Sequence, residues 1–141
     1  MHNSIHYLLL KAHTGINRRI LNRAAEFGLT PGRPKILEYL YTYGENNQKA
    51  IAEFCEIEQA TAGTILLGME KDGLIVRKQK DGNRRSLYVS LTEKGTQAAE
   101  TMRTVFDEED MAAEKYLTDE EKQQLKVLLA KVCKALNEAD K

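Results

Sequence analysis

The segment between residues 48 and 95 constrains the fold more than any other part of the chain. Apolar spacing and turn residues predict helices from about Gln48 to Cys55 and from near Glu58 to Gly73, then strands over 74–78 and 87–91. Turn-forming residues separate the strands, so they predict a β-hairpin. A helix about 10–12 Å across fits the roughly 12 Å major groove of DNA, so this order is typical of a DNA-reading element.

The charge distribution supports a nucleic-acid partner although the formal net charge is zero. Residues 77–85 contain five basic side chains and one acidic side chain, whereas residues 96–141 contain seven basic and eleven acidic ones. Affinity for phosphates depends on the local patch rather than on the sum of charges. The hairpin tip is therefore predicted to face DNA, and the C-terminal region to face away from it.

Amphipathic helices are predicted at both ends of the chain. An apolar stripe runs from Ile5 to Ile20, Thr92 is expected to cap a fifth helix, and the sequence from Thr118 to Glu121 fits a capping box that opens a sixth. A second helix is predicted to begin at Thr30-Pro31. A helix with an apolar stripe must bury that stripe against another surface. The simplest arrangement is a two-fold dimer in which the terminal helices of the two subunits pack together. Two such subunits would read a pseudo-palindromic site.

These patterns resemble the winged helix-turn-helix of the MarR/SlyA family of bacterial transcription regulators over nearly the whole chain. The matching positions are Leu29-Thr30-Pro31, Ile51-Ala52-Glu53, Ile57, Thr61, Leu66, Met69-Glu70, Gly73-Leu74-Ile75, Arg77, Arg84-Arg85, Val89, Leu91-Thr92 and Gly95. The chain departs from the family at Asn83, where an aspartate is usual, and at Gly63-Thr64, where Ser-Arg is common. The resemblance implies a triangular homodimer that represses promoters and releases DNA when a small, often phenolic or aromatic, molecule binds.

The expected architecture is mainly α-helical with a small β-hairpin wing. We expect one MarR-like domain over residues 1–141, with a winged helix-turn-helix lobe over 30–95 and dimerisation helices over 1–27 and 96–141.

Eight residues are candidates for DNA contact: Gln59, Ala60, Thr61, Thr64, Arg77, Lys80, Arg84 and Arg85. The first four lie early in the second helix of the motif, where side chains can reach base edges. Arg85 suits a narrow minor groove, and Arg84 and Lys80 suit phosphates. The competing interpretation is a solvated polar helix surface and a solvated charged hairpin. No arginine lies in the recognition helix, and glycines at 63 and 68 weaken its helix propensity.

A ligand pocket is implied by the resemblance alone, and its candidate lining residues are His13, Arg18, Tyr39, Tyr43 and Tyr116. Ordinary packing or surface exposure competes with this role for each residue taken singly. The three histidines lack ligand partners at metal-binding spacing, so no metal or cofactor is expected. Cys55 and Cys133 lie in apolar helical patterns, and Cys55 is expected to be a core thiol rather than a redox sensor.

Other classes of protein lack support in the sequence. No apolar run approaches the ~20 residues of a membrane span, and the N-terminus lacks the features of a secretory signal, so a cytoplasmic protein is expected. No phosphate loop, nucleophile elbow or acid–base constellation is present, so an enzyme is not expected. The sequence favours a homodimeric repressor that binds double-stranded DNA and responds to a small effector. A ligand-independent regulator and a winged-helix protein-interaction module stay open as alternatives.

Overall fold

A computed structural model describes residues 2–79 and 87–141. Its helices are α1 (Ile5–Glu26), α2 (Arg33–Tyr43), α3 (Gln48–Cys55), α4 (Gln59–Lys71), α5 (Glu93–Ala113) and α6 (Asp119–Ala139). Its strands are β1 (Asn46–Asn47), β2 (Ile75–Gln79) and β3 (Leu87–Leu91). The mainly α-helical architecture with a small β-hairpin is therefore confirmed.

The core joins α2 and α5 to the helix-turn-helix and the hairpin. Its largest fully buried side chains are Ile36 and Leu37 from α2, Ile51 from α3, Leu66 and Met69 from α4, Ile75 and Val89 from the sheet, and Met102 and Val105 from α5. Helix α4 thus buries one face and leaves the opposite face exposed. The predicted core position of Cys55 is only half-buried.

The sheet has an additional strand that the sequence did not predict. Residues 44–47 have the composition of a loop, but Asn46 and Asn47 pair antiparallel with Val89 and Tyr88 of β3. Strands β2 and β3 form the expected antiparallel hairpin, from the Ile75–Leu91 pair to the Gln79–Leu87 pair. Asn47 also caps α3, because its side chain accepts a 2.8 Å hydrogen bond from the Ala50 amide. The strand and the cap together fix where α3 begins.

The start of α2 differs from the prediction. Gly32 rather than Thr30 is the N-cap, and the proline in the first turn is Pro34 rather than Pro31. Gly32 has a φ of 94°, and a Cβ there would lie 2.5 Å from Cδ1 of Ile65 in α4. A glycine in the left-handed region is needed because the turn between α1 and α2 closes directly against α4.

The capping predictions for the last two helices are confirmed. The Thr92 side chain accepts from the Gly95 amide, and Thr118 and Glu121 form a reciprocal capping box. Helix α5 packs against α1 and α2, whereas α6 has no buried residue within the single chain. Within the described ranges, none of the helices combines the length and apolarity that crossing a bilayer requires.

Candidate nucleic-acid interface

The N-terminal half of α4 presents a small, polar outer face. Gln59, Ala60, Thr61 and Thr64 are exposed, whereas Ala62 on the opposite side is buried. The Thr64 hydroxyl donates to the Ala60 carbonyl at 3.2 Å, one turn earlier in the same helix. The structure therefore brings all four predicted readout residues onto one exposed surface that has no arginine.

The glycine at position 63 allows α3 and α4 to approach closely. A Cβ at Gly63 would lie 2.9 Å from Nε2 of Gln48. The same amide nitrogen donates to the Gln59 carbonyl at 3.2 Å. Gln48 therefore ties the start of α3 to the start of α4, a role that helix propensity alone could not reveal.

The glycine at position 68 makes room for a cation from α2. A Cβ at Gly68 would lie 2.9 Å from Nη2 of Arg33. The Arg33 guanidinium lies across this gap and donates to the Asp72 carboxylate at 2.7 Å. Arg33 thus clamps the C-terminal end of α4.

The start of the hairpin is anchored by three further contacts. The Thr92 hydroxyl donates to the Gly73 carbonyl at 2.6 Å, and the Lys94 ammonium donates to the Asp72 carbonyl at 2.7 Å. A Cβ at Gly95 would lie 1.9 Å from the Leu74 carbonyl oxygen. The close crossing of α5 over this turn therefore requires glycine at position 95, and it fixes the direction in which the wing leaves α4.

Arg77 lies at the base of the wing and is already paired. Its guanidinium is 3.0 Å from the Glu70 carboxylate, and its side chain is only 18% exposed. This ion pair holds β2 against α4, so a contact between Arg77 and DNA would compete with Glu70. The remaining wing candidates, Lys80, Arg84 and Arg85, lie outside the described residues.

The five predicted ligand-lining residues do not lie together. Tyr39 and Tyr43 pack with Phe54 in an aromatic cluster, where the Asn46 amide donates to the Tyr39 hydroxyl at 2.8 Å. Arg18 is exposed on α1, and Tyr116 is 88% exposed after α5. Of the five, His13 alone lines a cleft beside α1 and α5.

That cleft has a volume of about 510 Å³ and lies between α1, the α1–α2 turn, α2, the C-terminal end of α3 and α5. Its described lining residues are His13, Ile16, Asn17, Ile20, Leu21, Pro31, Gly32, Pro34, Lys35, Glu38, Cys55, Ile57, Phe106 and Asp110. Burial raises the pKa of the Cys55 thiol to about 11, so the thiol is protonated at neutral pH. No group of His, Cys, Asp and Glu suited to a metal ion occurs in ranges 2–79 and 87–141.

Comparison with known proteins decides the family. The sequence model of the MarR family matches residues 29–87. The HTH-type transcriptional regulator FarR of Neisseria gonorrhoeae is 31% identical over 136 residues, which span 94% of this chain and 91% of that protein. This chain belongs to the MarR family of transcriptional regulators.

Further similarities agree with this assignment. The homoprotocatechuate degradative operon repressor of Escherichia coli is 29% identical over 129 residues, covering 92% of this chain and 87% of that protein. The crystal structure of a putative MarR family transcriptional regulator from Listeria monocytogenes complexed with 26mer DNA has a TM-score of 0.90. At 22% identity over 97% of this chain and 91% of that one, it demonstrates a shared fold.

Proposed function

We propose that this MarR-family regulator is a cytoplasmic homodimeric repressor that binds a pseudo-palindromic operator and leaves it when a small molecule binds. The observation that carries the proposal is the exposed polar face of α4. Side-chain contacts hold this helix at both ends and also hold it against the first strand of the hairpin. Gln48 and Arg33 fix the two ends of α4, and the Arg77–Glu70 pair fixes the wing base. A rigid reading element of this kind suits sequence recognition, since positioned side chains must meet base edges without further ordering.

Direct readout would rest on a few small side chains. Gln59 suits the edge of adenine, Thr61 and Thr64 adapt to several bases, and Ala60 suits a thymine methyl group. Much of the affinity would then come from Lys80, Arg84 and Arg85 in the wing, together with Arg77 if DNA displaces Glu70. Contacts with phosphates supply affinity with little base selectivity, and a narrow minor groove favours A·T-rich sequence through its shape.

Dimerisation follows from the apolar surface of the terminal helices. Residues at helical spacing on α1 and α6 remain uncovered in the single chain: Ile5, Leu8, Leu9, Leu125, Leu128, Leu129 and Leu136. Apolar surface of this extent is favourably removed from water by a second subunit. In the proposed organisation, residues 1–27 and 96–141 form the dimer, and residues 30–95 form each DNA-binding lobe.

The small-molecule response is assigned to the 510 Å³ cleft, because the α1–α2 turn borders both the cleft and α4. A ligand could act only by binding more tightly to one dimer geometry than to the other. A catalytic step forms no part of this proposal.

Two substitutions test the DNA-binding assignment. Arg85→Ala should weaken binding to the operator by about tenfold, because it removes one charge-assisted contact in the minor groove. Gln59→Ala should weaken binding to the operator but leave binding to random duplex unchanged, because a base contact specifies and a phosphate contact does not. Fluorescence anisotropy with labelled duplexes, repeated over a range of salt, measures both effects.

The result also separates the alternatives. Binding that is unchanged by Arg85→Ala would show that the wing does not contact DNA. A DNA binder that neutralises several phosphates shows a steep fall of log affinity with log salt. Absence of such a slope in the unmodified protein would favour the interaction-module interpretation.

A further inference from the structure

The walls of the 510 Å³ cleft are largely apolar. Ile16 and Ile20 from α1, Ile57 after α3 and the ring of Phe106 from α5 line it. A cavity of this size with apolar walls and a few polar groups is typical of a site for a drug-sized molecule. The charge of the ligand that fits this cleft then depends on the polar side chains that line it.

The titratable groups facing the cleft come from all four surrounding helices: His13 on α1, Lys35 and Glu38 on α2, Cys55 on α3 and Asp110 on α5. Of these, Lys35 is the single permanent cation. Its ammonium lies 3.1 Å from the Glu38 carboxylate, so the two charges offset each other. The carboxylate of Asp110, at an exposed position of α5, adds a second negative charge to the described lining.

The surroundings of Asp110 disfavour the charged form of its carboxyl group. Burial raises the pKa of its carboxyl group, and the carboxylates of Glu114, Asp107 and Glu38 raise it further, against a smaller lowering by Lys126 of α6. Another anion placed beside it would meet the same repulsion. A cation would relieve the repulsion instead.

The aromatic wall already receives an ammonium group. The Lys35 nitrogen lies 5.0 Å from the centroid of the Phe106 ring, within the range of a cation–π interaction. The Phe106 ring face and the Glu38 carboxylate therefore both contact an ammonium group, and the Asp110 carboxylate lines the same cleft. The side chain of Lys35 is half-exposed and can move out toward solvent.

We propose that the effector of this regulator is an amphipathic cation, an aromatic or aliphatic amine or quaternary ammonium compound, rather than an aromatic carboxylate. The inference rests on the proposed function and assigns the chemical class of the ligand that the cleft takes. The apolar body of the ligand lies between Ile16, Ile20 and Phe106, and its charged nitrogen lies beside Asp110 and displaces Lys35 from the ring.

The test uses two probes with the same ring system and opposite charge, naphthylmethylamine and naphthoate. Binding to the full-length protein without DNA is measured by titration calorimetry at neutral pH. The amine should bind at least about tenfold more tightly than the carboxylate. Equal affinity, tighter binding of naphthoate or binding of neither probe would overturn the inference.

Two variants locate the site. Asp110→Asn should reduce affinity for the amine severalfold, whereas the matched control Glu100→Gln, on the exposed outer surface of α5, should not change it. Lys35→Met should tighten binding of the amine, because the internal cation no longer competes for Phe106 and Glu38. If Lys35 instead held a carboxylate ligand, Lys35→Met would weaken binding of naphthoate and leave the amine unaffected, which contradicts the proposal.

A separate arm distinguishes this failure from failure of the proposed function. DNA affinity without a probe is measured first, and its absence counts against the regulator assignment itself. With DNA binding established, naphthylmethylamine should release the operator fragment and naphthoate should not. Release by naphthoate alone would keep the proposed function and reject the cationic ligand.

Discussion

At the scale of single residues, the helix propensity that Gly68 loses is offset by the ion pair that it allows Arg33 to form with Asp72. Gly68→Ala should gain about 1 kcal/mol of helix propensity. The new Cβ would displace the Arg33 guanidinium from Asp72, and because Asp72 is largely exposed this loses less than about 1 kcal/mol. We expect a small net stabilisation in urea unfolding, below that of Gly15→Ala, where an added Cβ meets nothing within 4 Å.

A double-mutant cycle isolates the contact. Arg33→Met should destabilise the unmodified protein but have almost no effect in the Gly68→Ala background, because the ion pair is already broken there. In the Gly15→Ala background its cost should be unchanged. Simple additivity of Arg33→Met and Gly68→Ala would show that Arg33 does not occupy the space over Gly68.

Gly95 gives a second prediction at this scale. Its Cβ would overlap the Leu74 carbonyl oxygen, which belongs to the backbone and cannot move aside cheaply. Gly95→Ala should therefore destabilise the protein by about 3 kcal/mol, at the upper end of overpacking costs. A loss below about 0.5 kcal/mol, the size expected for an ordinary surface change, would contradict the close crossing.

At the scale of elements, α1 is joined to α5 by a buried carboxylate. Glu109 is 4% exposed and pairs with Arg19 and, at 3.1 Å, with Arg23. The hydrogen bond from Arg19 lowers the pKa of Glu109 against the opposing effect of burial, and Arg23 lowers it further. The stabilisation is fully present above the ordinary glutamate pKa of about 4.3 and is lost as the pH falls through the lowered value.

Glu109→Gln should consequently destabilise the protein at neutral pH, and the difference from the unmodified protein should shrink below about pH 4. Glu108→Gln is the matched control, because Glu108 is half-exposed and pairs with the same Arg23 at 3.3 Å. Urea unfolding across pH measures both. Equal effects of the two substitutions would contradict the role of Glu109.

Helices and strands whose sequence pattern lies within the element itself are predictable from the sequence. The helical stripe of α1, the capping box of α6 and the alternation in β3 each depend on neighbouring residues and predicted their elements well. Strand β1 is not predictable in this way, because its two residues form a strand only through pairing with β3. The α2 start was misplaced because Gly32 is selected by a contact with Ile65, which is distant in sequence.

The candidate site was predictable to a similar degree. Position in the motif was enough to group the outer residues of α4. The contacts that hold α4 in place cannot be predicted from the sequence. Arg33 and Asp72, and likewise Gln48 and Gly63, are neighbours only after folding. The candidate ligand residues combine aromatic side chains with polar groups, but Tyr39 and Tyr43 pack in a cluster with Phe54 instead.

At the scale of the whole molecule, the uncovered stripe on α6 carries the dimer proposal. Leu129→Glu should convert the dimer to monomers or aggregates in sedimentation, because it places a charge within the apolar interface. Lys134→Glu, on the opposite face of the helix, should leave the dimer intact. Deletion of residues 118–141 should abolish dimerisation as well, and a well-folded dimer after that deletion would contradict the assignment.

The most direct test of the central claim is a fluorescence-anisotropy titration with the DNA upstream of the protein's own gene and with a shuffled duplex, at physiological and at low salt. We expect tight, salt-sensitive binding to the native fragment and much weaker binding to the shuffled one. Equal binding to both, or binding to neither at low salt, would contradict sequence-specific regulation.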